Sequence, residues 1–170
     1  AGAGIGRRRR EIPRLARRAH RRVKIAVING PNLNLLGTRE PALYGTETLA
    51  DIESGLLKVA KELGVELTFS QRNGEGEIVE VIHALRGRAD GALVNAGAYS
   101  HTSLAIHDAL TAVKIPFVEV HLTNIYAREP ERRRSVLADA AVAVICGFGA
   151  YGYELALRGL VKRLPVAANG

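Results

Sequence analysis

Three segments of this chain carry side chains suited to proton transfer. Tyr44 follows Arg39 by five residues inside a long segment, residues 28–45, that also holds Asn29, Asn32 and Asn34. Arg39 offers a fixed cation there and Tyr44 a phenol, a group whose ordinary ionisation lies near pH 10. In Val118-Glu119-Val120-His121 a carboxylate and an imidazole stand two residues apart, which on a strand puts them on one face. The carboxylate can then orient the ring and fix its proton, preparing an acid or a base; the alternative is a hydrogen-bonded core pair. Residues 95–103 offer Asn95 and His101 ahead of a helix, whose N-terminus favours anions. Asp108 lies one to two turns into that helix, where a solvated residue is the ordinary reading. Arg128 and Arg132, in a cluster with Arg133 and Arg134, offer cations for an acidic substrate, although charge clusters are usually solvated.

These residues need elements to carry them. Mostly apolar runs at 24–28, 92–95, 116–121 and 142–146 and an alternating segment at 66–71 read as strands, and periodic segments at 47–63, 77–86, 102–113 and 151–164 read as helices. The alternation predicts an α/β fold, a flavodoxin-like doubly wound five-stranded parallel sheet in three layers. Ligands of such sheets sit beyond the carboxyl ends of the strands. Asn29 and Asn32, then Asn95, then His121 and Thr123 all fall there, so three strands deliver polar groups to one edge. The loop at 28–45 is long for a strand-to-helix connection, with Gly37 and Gly45 as possible hinges around the Arg–Tyr pair. Its Asn, Pro and Gly content also suits a plain connection.

Length and composition bound the remaining choices. The 170 residues suit one domain over 23–170, and no apolar run is long enough to span a bilayer. Of 24 basic and 17 acidic residues, nine arginines and one acid lie in residues 1–22, leaving 15 and 16 for the rest. The net charge of +7 therefore belongs to an N-terminal arm. That arm has no aromatic residue to stack on bases, so nucleic acid is expected at most as a nonspecific contact, and the arm is expected to be dispensable for the main activity. The lone Cys146 excludes an internal disulfide and fits a buried strand residue in a reducing, cytoplasmic setting. Gly147-Phe-Gly149-Ala-Tyr-Gly152 has the spacing of a dinucleotide turn, but the chain ends before the acid-bearing strand that reading requires. A tight turn with close helix–strand packing is the better reading. No His, Cys, Asp or Glu spacing resembles a zinc site.

Taken together, residues 28–45, 95–103, 118–124 with Arg128 and Arg132, and the turn at 147–153 resemble the type II 3-dehydroquinate dehydratases. The similarity covers residues 23–164. It implies a cofactor-free lyase converting 3-dehydroquinate to 3-dehydroshikimate, in shikimate synthesis for aromatic amino acids or in quinate breakdown. It also implies a homo-oligomer, a dodecamer built from trimers. By the same resemblance Tyr44 is the base, with Arg39 acting on it, and Asn32 holds a water against the enolate. His121 is the acid, oriented by Glu119. Asn95, Leu122 and Thr123 hold the substrate carboxylate, and His101, Arg132 and Asp108 read the ring hydroxyls, Asp108 from a neighbouring subunit. The chain departs from the family pattern at Thr123, usually Ser, at Arg72 and Gly74, and at Glu131, usually aromatic. A rival expectation is a binding module that uses its basic arm on nucleic acid or an acidic partner; a flavin- or nucleotide-binding variant is a third.

Overall fold

The computed structural model describes residues 21–38 and 40–165. The expected arm at 1–22 lies outside them except for Arg21 and Arg22, and Arg39 lies outside them as well. The described residues form β1 (Lys24–Asn29), α1 (Pro41–Tyr44), α2 (Leu49–Leu63), β2 (Glu66–Gln71), α3 (Glu75–Ala84), β3 (Gly91–Asn95), α4 (Leu104–Val113), β4 (Phe117–His121), β5 (Ala143–Cys146) and α5 (Tyr151–Arg163), with single 3-10 turns in the longer loops. All neighbouring strands pair in parallel, in the order β2-β1-β3-β4-β5. This is the flavodoxin-like α/β sheet that the alternating sequence predicts.

Helix boundaries move by two residues where a side chain caps the first turn. Thr48 and Asp51 close a reciprocal box at 3.1 and 2.9 Å, so α2 begins at Leu49 rather than 47. Those bonds, the backbone one first, hold the Asp51 carboxyl below its usual range. Ser103 accepts from the Ile106 N–H at 3.0 Å, which delays α4 to Leu104. Glu77 reaches back to the Gly74 N–H at 3.0 Å, drawing the start of α3 forward to Glu75. The helix α1 was not expected: it is too short for periodicity to reveal. It sits between Gly37 and Gly45, both at positive φ (86° and 84°).

Side chains alternate across the sheet and fill two apolar layers. Ile25, Val27, Leu93, Val118 and Val120 pack with Leu56, Val59, Tyr153, Leu157 and Leu160 under α2 and α5. Ala26, Ile28, Ala92, Val94 and Phe117 pack with Ile78, Ile82, Ile106 and Leu110 under α3 and α4. Strands β1, β3 and β4 are almost wholly buried, as strands covered on both faces must be. Strand β5 lies at the sheet edge and is only partly buried, so Cys146 is a strand residue but half-exposed, not buried.

Strand order reverses between β1 and β3, where the register pairs Asn29 with Asn95. Immediately beyond, the Gly30 N–H donates to the Asn95 carbonyl at 2.8 Å. A Cβ on Gly30 would stand 2.5 Å from the Ala96 carbonyl carbon, so only glycine permits this approach. At the opposite end of the sheet, Asp90 accepts from the Lys24 N–H at 2.8 Å and pairs with Arg21, which fixes where the chain enters. Among the described residues no helix is long and apolar enough to cross a membrane.

Candidate active site

A pocket lies over the carboxyl ends of β1, β3 and β4. Among its lining residues are Asn32, Tyr44, Asn95, His101, His121, Leu122, Thr123, Arg128 and Arg132. The fold thus gathers nine of the residues singled out for substrate chemistry. Glu119 stands behind the wall, Arg39 is outside the described residues, and Asp108 is elsewhere. On α4 the Asp108 side chain is 80% exposed, 3.2 Å from His107 Nδ1, whose other ring nitrogen is 3.2 Å from Asp139.

The imidazole of His121 is fixed from below. Its Nε2 lies 2.6 Å from Glu119 Oε1, and Glu119 is fully buried. With the carboxylate accepting from Nε2–H, Nδ1 becomes the ring nitrogen available for chemistry. Ser135 donates to the same Glu119 oxygen at 2.6 Å and accepts from the Leu137 N–H at 3.0 Å, so its proton is committed to the carboxylate. Oxygen Oε2 of Glu119 has no partner among the described residues. Beside His121, the His101 ring stacks with centroids 6.1 Å apart and planes 16° from parallel. His101 Nδ1 lies 2.8 Å from the Arg134 carbonyl; a carbonyl only accepts, so Nδ1 carries hydrogen and Nε2 is the remaining nitrogen.

Across the pocket, Arg128 donates from Nη1 to the Tyr44 hydroxyl at 3.3 Å, its Cζ 6.0 Å from the ring centroid. This hydrogen bond, more than any other contact, raises the pKa of the guanidinium, while burial acts against it. Glu129 ties Arg128 to Arg132, accepting from their Nε atoms at 3.4 and 2.6 Å. Its own backbone amide above all keeps the Glu129 carboxyl below its usual range; burial opposes this, and Arg132 and Arg128 add to the lowering. The cation beside the phenol among the described residues is therefore Arg128, which sequence position alone offers only as a general anion ligand.

The first loop is braced by the end of β2. Asn32 adopts a left-handed conformation at φ 68°, and its N–H donates to Asn73 Oδ1 at 3.1 Å. Gln71 donates from Nε2 to that same oxygen and to the Gly30 carbonyl, both at 3.0 Å. Gln71, Asn73, Glu129 and Ser135 all support pocket residues without having been singled out for it. Their spacing carries no signal; Gln71 and Asn73 stand only within a motif, and Ser135 follows a run of arginines that draws attention away from it.

Comparison with known proteins gives a consistent picture. A family model described as dehydroquinase class II matches residues 23–161. A 3-dehydroquinate dehydratase of Gemmatimonas aurantiaca is 64% identical over 142 residues, covering 84% of this chain and 93% of the relative. One from Prochlorococcus marinus is 56% identical over 140 residues, covering 82% and 97%. Among solved structures, a type II dehydroquinase from Butyrivibrio crossotus superimposes with a TM-score of 0.80 at 40% identity, covering 82% of this chain and 97% of that one. Another from Propionibacterium acnes gives 0.78 at 39% identity, covering 84% and 99%.

Proposed function

The chain belongs to the class II dehydroquinase family, and on that premise we propose that Tyr44 and His121 serve its 3-dehydroquinate dehydratase reaction as base and acid, through an enolate. The observation that carries this reading is the pairing of two prepared groups on one pocket: a phenol against a guanidinium, and an imidazole on a buried carboxylate. Tyr44 takes the proton alpha to the ketone, and the C–H electron pair moves into the enolate. The Arg128 guanidinium, hydrogen-bonded to the Tyr44 hydroxyl, is a cation that serves this step, and Arg39 is assigned the same role. Asn32 holds a water against the enolate oxygen. His121, its Nε2–H held by Glu119, then gives a proton carried on Nδ1 to the departing hydroxyl as the enolate pair closes the ring double bond and the C–O bond breaks, so water and 3-dehydroshikimate leave. Exchange with solvent resets both groups, and no cofactor takes part.

Asn95, with Leu122 and Thr123, holds the carboxylate of the substrate, while His101 and Arg132 read ring hydroxyls. Asp108 completes the set from a neighbouring subunit of a dodecamer of trimers; its distance from the pocket within one chain agrees with that origin. The setting is the shikimate pathway in the cytoplasm.

The test is a dehydration assay on the purified chain without added metal or nucleotide, with mass measured in solution. Enone absorbance is expected to grow from 3-dehydroquinate, and Tyr44→Phe is expected to lower kcat by about 10²- to 10⁴-fold. Wild-type turnover in Tyr44→Phe would remove Tyr44 as the base.

A further inference from the structure

The glycine turn after β5 and the first turn of α5 have no part in the reaction as described, yet they hold a residue that reaches beneath the pocket. The Gly147 and Gly149 N–H groups donate to the carbonyls of His121 and Leu122 at 3.3 and 2.9 Å, latching the turn to the end of β4. Two residues into α5, Tyr153 is fully buried under the carboxyl ends of β1 and β3. Its hydroxyl accepts from Asn95 Nδ2 at 2.9 Å and donates to Asn29 Oδ1 at 2.5 Å.

The direction of this chain is forced. The Gly97 N–H donates to Asn95 Oδ1 at 3.2 Å, so the amide nitrogen of Asn95 must face Tyr153. Tyr153 can then only accept from Asn95, and its own proton goes to Asn29. Asn29 Nδ2 ends the sequence with no partner among the described residues. Burial raises the Tyr153 pKa, which keeps the hydroxyl protonated and the direction fixed. One Nδ2 hydrogen of Asn95 remains, and Asn95 lines the pocket.

We infer that Tyr153 is a positioning residue for substrate binding: its hydroxyl, held by Asn29, orients the Asn95 amide so that the remaining N–H meets the substrate carboxylate. This rests on the reading of Asn95 as a carboxylate ligand. A merely structural tyrosine would affect stability and leave ligand discrimination alone.

The experiment compares Tyr153→Phe, Asn29→Ala, Asn95→Ala and the Tyr153→Phe/Asn95→Ala pair. Each is assayed for KM and kcat, and for inhibition by 3-dehydroshikimate and by its analogue with the carboxylate reduced to an alcohol. Tyr153→Phe is expected to raise KM and the inhibition constant of 3-dehydroshikimate by about tenfold. Because the carboxylate contact is the same in ground and transition states, kcat should change by less than about twofold. The alcohol should bind as it does to the wild type, and adding Tyr153→Phe to Asn95→Ala should change nothing further. Asn29→Ala, which keeps the tyrosine and removes its acceptor, should move KM the same way and serves if Tyr153→Phe does not fold. Wild-type constants in Tyr153→Phe or Asn29→Ala, with raised ones in Asn95→Ala, would overturn the inference alone. Wild-type constants in Asn95→Ala would overturn the reading on which it rests.

Discussion

Arg128 and Tyr44 are 84 residues apart in the chain and meet at 3.3 Å, guanidinium to hydroxyl. The contact joins the loop after β1 to the loop after β4, so one hydrogen bond both places a cation at the phenol and ties two pocket walls together. Glu129 holds the guanidinium from its other side at 3.4 Å. A lysine could supply the charge here but not both directed contacts.

Replacing Arg128 with Met keeps the bulk and removes the charge. Turnover is expected to fall by about 10- to 100-fold, because the phenol loses the guanidinium that donates to its hydroxyl. Steady-state kinetics beside the wild type check this; a raised KM with unchanged kcat would mean that Arg128 acts only on substrate binding.

Ser135 donates to the carboxylate that orients His121, and Ser135→Ala leaves that buried oxygen with one partner fewer. Stability should drop by about 1–3 kcal/mol, with kcat lowered and KM unchanged. Urea unfolding and steady-state kinetics on the same preparation read both effects.

Gly30→Ala tests the closeness of β1 and β3. The added methyl meets backbone, 2.5 Å from the Ala96 carbonyl carbon, and backbone yields little. A loss of about 3 kcal/mol or more is expected, with activity lost even in the folded fraction, because Asn29 and Asn95 sit on either side of the contact. Thermal melts together with activity per folded molecule measure it.

Tyr153 has a pKa raised by burial above the ordinary 10.0. For such a group the contribution to stability is complete below the unfolded value and is lost as pH climbs from there through the folded value. Above pH 10 the unfolded chain sheds this proton and the folded chain keeps it, so stability falls with rising pH. Tyr153→Phe should flatten the alkaline limb in urea titrations at pH 8 to 11; parallel limbs for the two proteins would contradict it.

Much of this was legible in the sequence because burial on both faces leaves a plain mark. The runs that became β1, β3 and β4 are mostly apolar, with Glu119 the exception inside β4, and end in Asn29, Asn95 and His121, so their polar tips point to a shared edge without any knowledge of packing. Glu119 and His121 were readable for the same reason, since spacing two on a strand fixes a common face. Arg128 was harder: it stands in a cluster of arginines in a loop, where neither period nor propensity ranks one above another, and only folding brings it to Tyr44. Ser135 acts from irregular backbone that carries no pattern. Tyr153 resembled an ordinary core aromatic on a helix, because its polar role depends on two amides from distant strands. Arg39, the partner that sequence proximity offers for Tyr44, lies outside the described residues.

The alternation of side chains across the sheet divides the pocket between its two sides. Asn95 shares the face of Leu93 with Tyr153 and the α2–α5 layer, whereas Glu119 and His121 share the face of Phe117 and the α3–α4 layer. In the proposed reaction, substrate lying across the strand ends would meet its carboxylate ligand Asn95 from one layer and its acid His121 from the other. Loosening the α2–α5 layer is therefore expected to weaken the hold on substrate, and loosening the α3–α4 layer to slow turnover, each while the other interior keeps its shape.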